Sequence, residues 1–579
     1  MKDFLKMTLA TVFGLLLFGL LSGMLLLGSL GALLALGSSP TTLQANSVLE
    51  LELNGVVVER GQDDVTAMMS MIDDSQLQLG LDALLTAIDR AATDDNITGI
   101  YLNVGALVAS PASISEIRQA LQTFKESGKF IVAYADNFGN GTYALATIAD
   151  KVVLNPQGML GLTGLSMSTL FCKDALDHLG IEMQVFKVGT FKSAVEPYIG
   201  MQMSDANRLQ MTELSNSIWQ TLLDDMAAGR RLDKAQFDRF ANEGAFFANP
   251  SVAVQRRLAD TLAYRSDMKA IIRQFAGDDY HTVDLKAMKN LPDNTLYSAD
   301  KIAVVYAVGQ IDGSGTDAMD SEKIAQTLVD LADDDAVKAV VLRVNSPGGS
   351  AYGSEQMWHA TQLVKARKPI IVSMGDYAAS GGYYMACAAD TIVAQPTTIT
   401  GSIGIFGMLP NVEKLTNKIG VAVDGVKTND FADFGMPTRP VTAAERALFQ
   451  QNIERGYELF VRRCADGRHT TTDAIKKIAE GRVWTGSQAK ALGLVDVLGG
   501  LNTAIDIAAD KAGLTAYNLK EYPAKRDLFN DLLDELSQMR TTRALQHTLG
   551  AYAVHAEALQ KAMALRGRQA IMPFTIVCE

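Results

Sequence analysis

Ser380 lies in the stretch VSMGDYAASGGYYMACAAD, residues 372–390, where an apolar run passes through small residues into a helical pattern. A serine at a tight strand-to-helix junction is a common place for a nucleophile, but its hydroxyl needs a base. No His, Lys or Arg lies between Lys368 and Asp390, so the base must come from elsewhere in the chain. An internal repeat supplies a candidate. DNFGNGTYALATIADKVVLNPQGMLGLTG (136–164) aligns without a gap on DYAASGGYYMACAADTIVAQPTTITGSIG (376–404), an offset of 240 residues. Gly141, Tyr143, Asp150, Pro156 and Gly161 recur as Gly381, Tyr383, Asp390, Pro396 and Gly401. At the same offset DDNITGIYLNV (94–104) meets DDAVKAVVLRV (334–344).

The copies differ where chemistry would be done. Ser380 faces Asn140, the pair Gly348 and Gly349 faces Val108 and Ala109, and Ser402 faces Leu162. In KVGTFKSAVEP (187–197) the first copy carries Lys192, which meets Ala432 of the second. Each copy lacks what the other has. The simplest account is one site completed across the two, with Ser380 as nucleophile and Lys192 as general base. A lysine serves as base only when neutral, so its pKa must fall well below the ordinary value of about 10.4, which desolvation achieves. Val188, Phe191, Ala194 and Val195 surround Lys192 in sequence. A helix N-terminus favours a serine alkoxide. The N–H groups of Gly381 and Gly348, with Gly349 beside them, are natural oxyanion donors because glycine lets main chain approach substrate closely. Ser402 is placed to hold the amine in register.

These residues need rigid elements behind them. ITGIYLNV and VKAVVLRV read as buried strands, FIVAYAD and PIIVSMGD as strands again, with helical spacing between them and Ala-rich helices after them. Alternation of this kind implies parallel sheets with right-handed crossovers, an α/β class. NLPDNTLYSAD (290–300) separates the copies. The expected division is an anchor at 1–45, an N-terminal repeat at 46–295, a C-terminal repeat at 296–521, and a tail at 522–579. In the tail, helices are expected at 528–539 and 553–565 and a short strand, FTIVC, at 574–578.

After Lys2 and Lys6 no charge appears until Glu50, and residues 7–36 are almost wholly apolar or glycine. That exceeds the roughly 20 residues that cross a bilayer and is too long for an ordinary signal-peptide core. Lysines before it and acids after it predict a single pass with the N-terminus in the cytoplasm and the catalytic mass outside. A net charge of −13 excludes a phosphate-neutralising role, hence a nucleic-acid partner. The four cysteines show no metal spacing. No dinucleotide fingerprint is visible, GSGT (313–316) being too short, so neither metal nor cofactor is expected.

Together VNSPGGS, AASGGYY, TGSIGIFG and FKSAVEP resemble the long, two-repeat form of signal peptide peptidase, the protease IV family. The resemblance covers nearly the whole chain. It implies a Ser/Lys-dyad endopeptidase of the Clp-protease/crotonase superfold, with Ser380 as nucleophile, Lys192 as base, Ser402 orienting the lysine, and Gly381 and Gly348 in the oxyanion hole. It further implies a homotetramer on the outer face of the bacterial inner membrane, acting on peptide remnants of signal sequences. Ile403, Ile405, Phe406 and Leu409 are expected to line an apolar groove beside the nucleophile. Three rivals stand against this: a Ser-His-Asp hydrolase using one of six histidines, an acyl-CoA enzyme of the crotonase kind, and a non-catalytic membrane scaffold.

Overall fold

Runs of branched apolar residues form parallel strands that are covered by helices on both faces. The computed structural model describes residues 42–61, 77–291, 298–314, 318–524 and 568–571, with scattered positions between 6 and 22. The expected anchor lies mostly outside these residues; among the described ones no helix is long and apolar enough to cross a membrane. The tail helices and the strand expected at 574–578 also lie outside them.

Among the described residues the strands form three sheets. In the first, Ser47–Val58, Ile97–Val108, Phe130–Phe138 and Lys151–Leu160 run parallel in that order. In another, Lys301–Val308, Val337–Ser346 and Ile370–Ala379 repeat the arrangement. Helix Pro111–Glu126 follows the second strand of one copy and Ala351–Lys365 that of the other. Their N-caps are Ser110 and Ser350, which accept from the N–H of Ser113 (3.1 Å) and Gly353 (3.0 Å). A cap of this kind is worth about 1 kcal/mol. The shared Asp and Tyr have structural work in both copies. Asp150 and Asp390 each accept a strand N–H, from Ile131 and Ile370. Tyr143 and Tyr383 each donate a buried O–H, to Leu258 O and Leu494 O.

The copies are not independent bodies. The core of the first repeat takes in Ala379, Ile399 and Val483 from the second, and the second core takes in Phe186 from the first. The third sheet joins both: Glu182–Lys187 of the first repeat pairs antiparallel with Phe406–Asn411 of the second. Between the sheets Arg343, 1% exposed, donates to Glu59 (2.9 and 3.1 Å) and Glu116 (2.7 and 3.3 Å) of the other repeat. Asp376 accepts from Ser113 (2.7 Å) and from Ser110 across the same seam. Burial, opposed by the Arg343 charge, pushes the Glu59 carboxyl above its usual range. This ion network brings the nucleophile strand of one repeat against the helix of the other.

Candidate active site

Strand Ile370–Ala379 ends at Ser380, which stands at the N-terminus of helix Gly381–Ala386 with φ 55° and ψ −113° and leaves its hydroxyl free of capping. A non-glycine residue in that region stores about 1–3 kcal/mol of strain. Two bonds hold it there: Ser380 N–H donates to Gly401 O (2.8 Å), and Ser380 O accepts from Tyr384 N–H (2.9 Å). The small residues beside it are needed for close approach. A Cβ on Gly382 would sit 2.8 Å from Ser346 O.

Lys192 comes from the turn before Ser193–Val195 of the first repeat and is 1% exposed. Its Nζ lies 2.8 Å from Ser380 Oγ, 3.1 Å from Ser402 Oγ and 3.3 Å from Ser402 O. Burial alone lowers its pKa from 10.5 to about 7. A neutral amine has two N–H donors and one lone pair, which suits these three neighbours. The carbonyl and hydroxyl oxygens of Ser402 accept the two N–H groups, and the lone pair accepts the Ser380 O–H. The arrangement can move a proton from hydroxyl to amine without displacing either residue. Ser402 also has a left-handed backbone, φ 51°, and its N–H donates to Arg482 O (2.7 Å).

Ser380, Lys192 and Ser402 therefore meet, and they do so across the repeats. Gly348 and Gly349 lie in strand Gly348–Ser350 beside them. Gly348 N–H donates to Ser346 Oγ at 3.2 Å, a long bond. Gly349 has a packing reason as well: a Cβ there would sit 2.2 Å from Ile311 O. The expected apolar groove needs correction. Ile403 and Ile405 are fully enclosed in the core of the second repeat and so are not open to a ligand. Phe406 packs with Met408, Ala194 and Val195, helping to keep water from Lys192. Leu409 is partly buried against the second core. Among the described residues His178, His281, His359 and His469 are exposed, and the Ser380 hydroxyl has the Lys192 amine, not an imidazole, as its partner; His547 and His555 lie outside the described residues.

Other residues support the lysine that the sequence did not single out. Gly481, φ 78°, lies so close that a Cβ would meet Lys192 N, Cα and Cβ at 2.6–2.7 Å. Phe191 N–H donates to Glu480 O (2.9 Å). Buried Gln210 donates to Phe191 O and Ser193 Oγ, both 3.1 Å, and so clamps the main chain on either side of Lys192. In the first copy the equivalent place is filled. Asn140 donates to Thr163 Oγ1 (3.2 Å) and Gly164 O (3.1 Å) and accepts from Thr163 N–H (3.1 Å). Its amide stitches the loop that a nucleophile would have to face.

The scaffold is of the Clp-protease-like α/β class, and the Clp protease family description matches residues 300–399. Peptidase family S49 matches twice, at 123–277 and 362–515, once in each copy. The chain belongs to peptidase family S49 and is a serine protease. It is 36% identical over 551 residues to Protease 4 of Salmonella typhi, covering 90% of this chain and 87% of that one. To Protease 4 of Haemophilus influenzae it is 35% identical, covering 81% and 79%. To the chloroplastic serine protease SPPA of Arabidopsis thaliana it is 32% identical, covering 75% and 66%.

Proposed function

We propose that this serine protease is a membrane-anchored endopeptidase that degrades released signal peptides and other apolar peptides, with Ser380 as nucleophile and Lys192 as general base. The observation that carries the assignment is the 2.8 Å approach of Lys192 Nζ to Ser380 Oγ. In this scheme neutral Lys192 takes the Ser380 proton as Oγ attacks the substrate carbonyl carbon. The oxyanion that forms faces the N–H groups of Gly381 and Gly348, the latter exchanging its long bond to Ser346 for a charge-assisted one. The lysine ammonium, held by Ser402, then gives its proton to the leaving amine nitrogen, and the C–N bond breaks. Water repeats the sequence on the acyl-enzyme: Lys192 takes its proton, its oxygen attacks, and the proton passes to Ser380 Oγ as the ester bond breaks.

The uncharged run at 7–36, after Lys2 and Lys6, supports an anchor in the bacterial inner membrane with the catalytic repeats outside the cytoplasm. The homotetramer follows from the family resemblance; the repeat itself supports only that copies associate head to tail. Glu182–Lys187 pairs with Phe406–Asn411 within the chain. The equivalents of those strands at the 240-residue offset, 422–427 and 166–171, form no strand, and they expose Val423, Val426 and Leu170. Pairing 422–427 of one copy with 166–171 of the next reproduces the internal contact head to tail, a heterologous contact that forms a ring where its rotation closes.

The test uses the detergent-solubilised full chain and fluorogenic peptides. Ser380→Ala and Lys192→Ala should each lower kcat about 10⁴-fold or more, with the double variant no worse, because residues acting as one unit are not additive. Lys192→Arg should be equally inactive, since a guanidinium stays charged. For the unaltered chain, kcat/KM should rise with pH through about 7 as Lys192 loses its proton. Wild-type turnover by Lys192→Ala would end the dyad. Best turnover on peptides charged at the cleaved bond would end the signal-peptide part alone.

A further inference from the structure

Two thiols that the mechanism does not use lie together behind the nucleophile. Cys387 caps the C-terminus of helix Gly381–Ala386, and Cys464 lies in helix Ala443–Gly467. Both are fully enclosed in the core of the second repeat. The two helices touch at successive places. Tyr384 stacks on Phe460 with ring centroids 4.4 Å apart. One turn on, the Cys464 thiol is in hydrogen-bonding contact with that of Cys387, whose Sγ also donates to Tyr384 O (3.2 Å). Beyond it, a Cβ on Gly467 would strike Cys387 O, so the helix backbone meets that carbonyl with no side chain between.

The first copy makes the same contact without thiols. Helix Asp205–Arg230 passes behind helix Asn140–Ala146, and a Cβ on Gly229 would strike Thr147 O. Thr147 stands in the place of Cys387, its hydroxyl donating to Ala144 O (2.8 Å) as the thiol does to Tyr384 O. Met226, three residues before that glycine, stands in the place of Cys464. Threonine and methionine fill the position, so packing alone does not call for two thiols. Both arrive in the copy that carries the nucleophile. Helix Ala443–Gly467 also reaches the lysine side of the site, where Gln450 donates to Lys187 O (3.3 Å).

We propose that Cys387 and Cys464 form a disulfide that braces the nucleophile helix against helix Ala443–Gly467, closed by disulfide exchange as the second repeat folds. The oxidant is a small-molecule or protein disulfide. One Cys thiolate of the pair attacks a sulfur of the oxidant, whose S–S bond breaks, and the released thiolate takes up a proton. The other Cys thiolate attacks the mixed disulfide, the Cys387–Cys464 bond forms, and a second reduced thiol leaves. Two protein thiols lose two electrons in all, and their two protons end on the reduced oxidant. In the folded chain neither sulfur is open to solvent, and burial, with the neighbouring Cys387 thiol, pushes the Cys464 thiol well above its usual range, so the pair exchanges slowly once enclosed. Such a bond suits repeats that fold outside the cytoplasm, and the proposal rests on that reading only for where the bond is made.

The detergent-solubilised full chain, reduced, is incubated in stepped urea with glutathione disulfide, quenched with acid, blocked with N-ethylmaleimide and digested. The expected product is a peptide pair joining Cys387 to Cys464 that dithiothreitol separates, forming in urea just below the unfolding midpoint and more slowly without urea. The linked chain should keep its peptidase activity to higher urea than the reduced chain, with kcat in the absence of urea unchanged. Cys464→Ser should behave alike under both conditions. Maleimide on both cysteines, bonds to Cys172 or Cys578 instead, or one urea midpoint with and without the bond overturns the proposal. Should the chain aggregate in urea, cell-free synthesis into detergent with glutathione disulfide decides alone: a linked pair supports the brace, and two blocked thiols overturn it. Acid-quenched cells separate the two claims. A bond that forms in glutathione disulfide but is missing in cells leaves the pair standing and counts against folding outside the cytoplasm.

Discussion

Lys192→Met should abolish activity and at the same time stabilise the fold, by an amount that depends on pH. Methionine is apolar and of similar reach, and Lys192 is almost fully enclosed. Burial lowers the amine from 10.5 to about 7. Each pKa unit is about 1.4 kcal/mol, so burying the charged form costs about 5 kcal/mol. Between about 7 and 10.5 the unfolded chain holds a proton that the folded chain lacks, so wild-type stability rises with pH across that window and levels off below it. At about pH 6 nearly the whole cost is present, and at about pH 9 about 2 kcal/mol remains. Methionine carries no such proton, so its advantage should shrink by about 2.5 kcal/mol between those two conditions. A pH-independent loss of about 1–3 kcal/mol lies on top, from the bonds to Ser380 and Ser402. The net gain at about pH 6 is then about 2–4 kcal/mol. Urea unfolding of both proteins across that range, followed by tryptophan fluorescence, measures it. A difference that stays flat with pH would refute the claim that Lys192 is buried as a neutral amine.

Two further substitutions probe the support around the site. Gly481→Ala forces a Cβ against the Lys192 backbone at a φ of 78°; displacing the amine by about 1 Å should lower kcat about 100-fold with KM unchanged, and steady-state kinetics that showed full kcat would count against the packing argument. Arg343→Leu leaves Glu59 and Glu116 buried without their cation and should cost about 3–5 kcal/mol in thermal unfolding. The deficit should shrink as pH falls, because burial already raises the Glu59 pKa and protonation relieves the unpaired charge. The triple change Arg343→Met, Glu59→Gln and Glu116→Gln should recover most of it; failure to recover would mean that the seam depends on more than charge balance.

The catalytic candidates were legible because duplication supplies an internal control. Ser380 against Asn140 and Lys192 against Ala432 are differences between near-identical frameworks, so they stand out without any second protein for comparison. Strand and helix positions were legible for the same reason, since period and branching recur at one offset. Gly481 and Gln210 were not. Their reason lies in a turn of the other repeat passing within contact distance, and nothing local marks such an approach. Arg343 sits mid-strand among apolar residues, and only the folded seam reveals its two carboxylate partners. Ile403 and Ile405 misled because an apolar residue beside a nucleophile has the same letter whether it faces a ligand or the core. Glu182–Lys187 could not be assigned to its sheet from sequence, because its partner strand belongs to the other copy.

Lys192 and Ser380 stand 188 residues apart in the chain. At about 5–20 residues per second, a ribosome completes the lysine turn about 10–40 s before the serine appears. Throughout that interval the growing chain holds an amine with no hydroxyl to activate. Once the serine is made, it remains inert until its strand docks against the finished first half. On the proposed dyad, an unfinished chain therefore has no working blade until both halves are folded together.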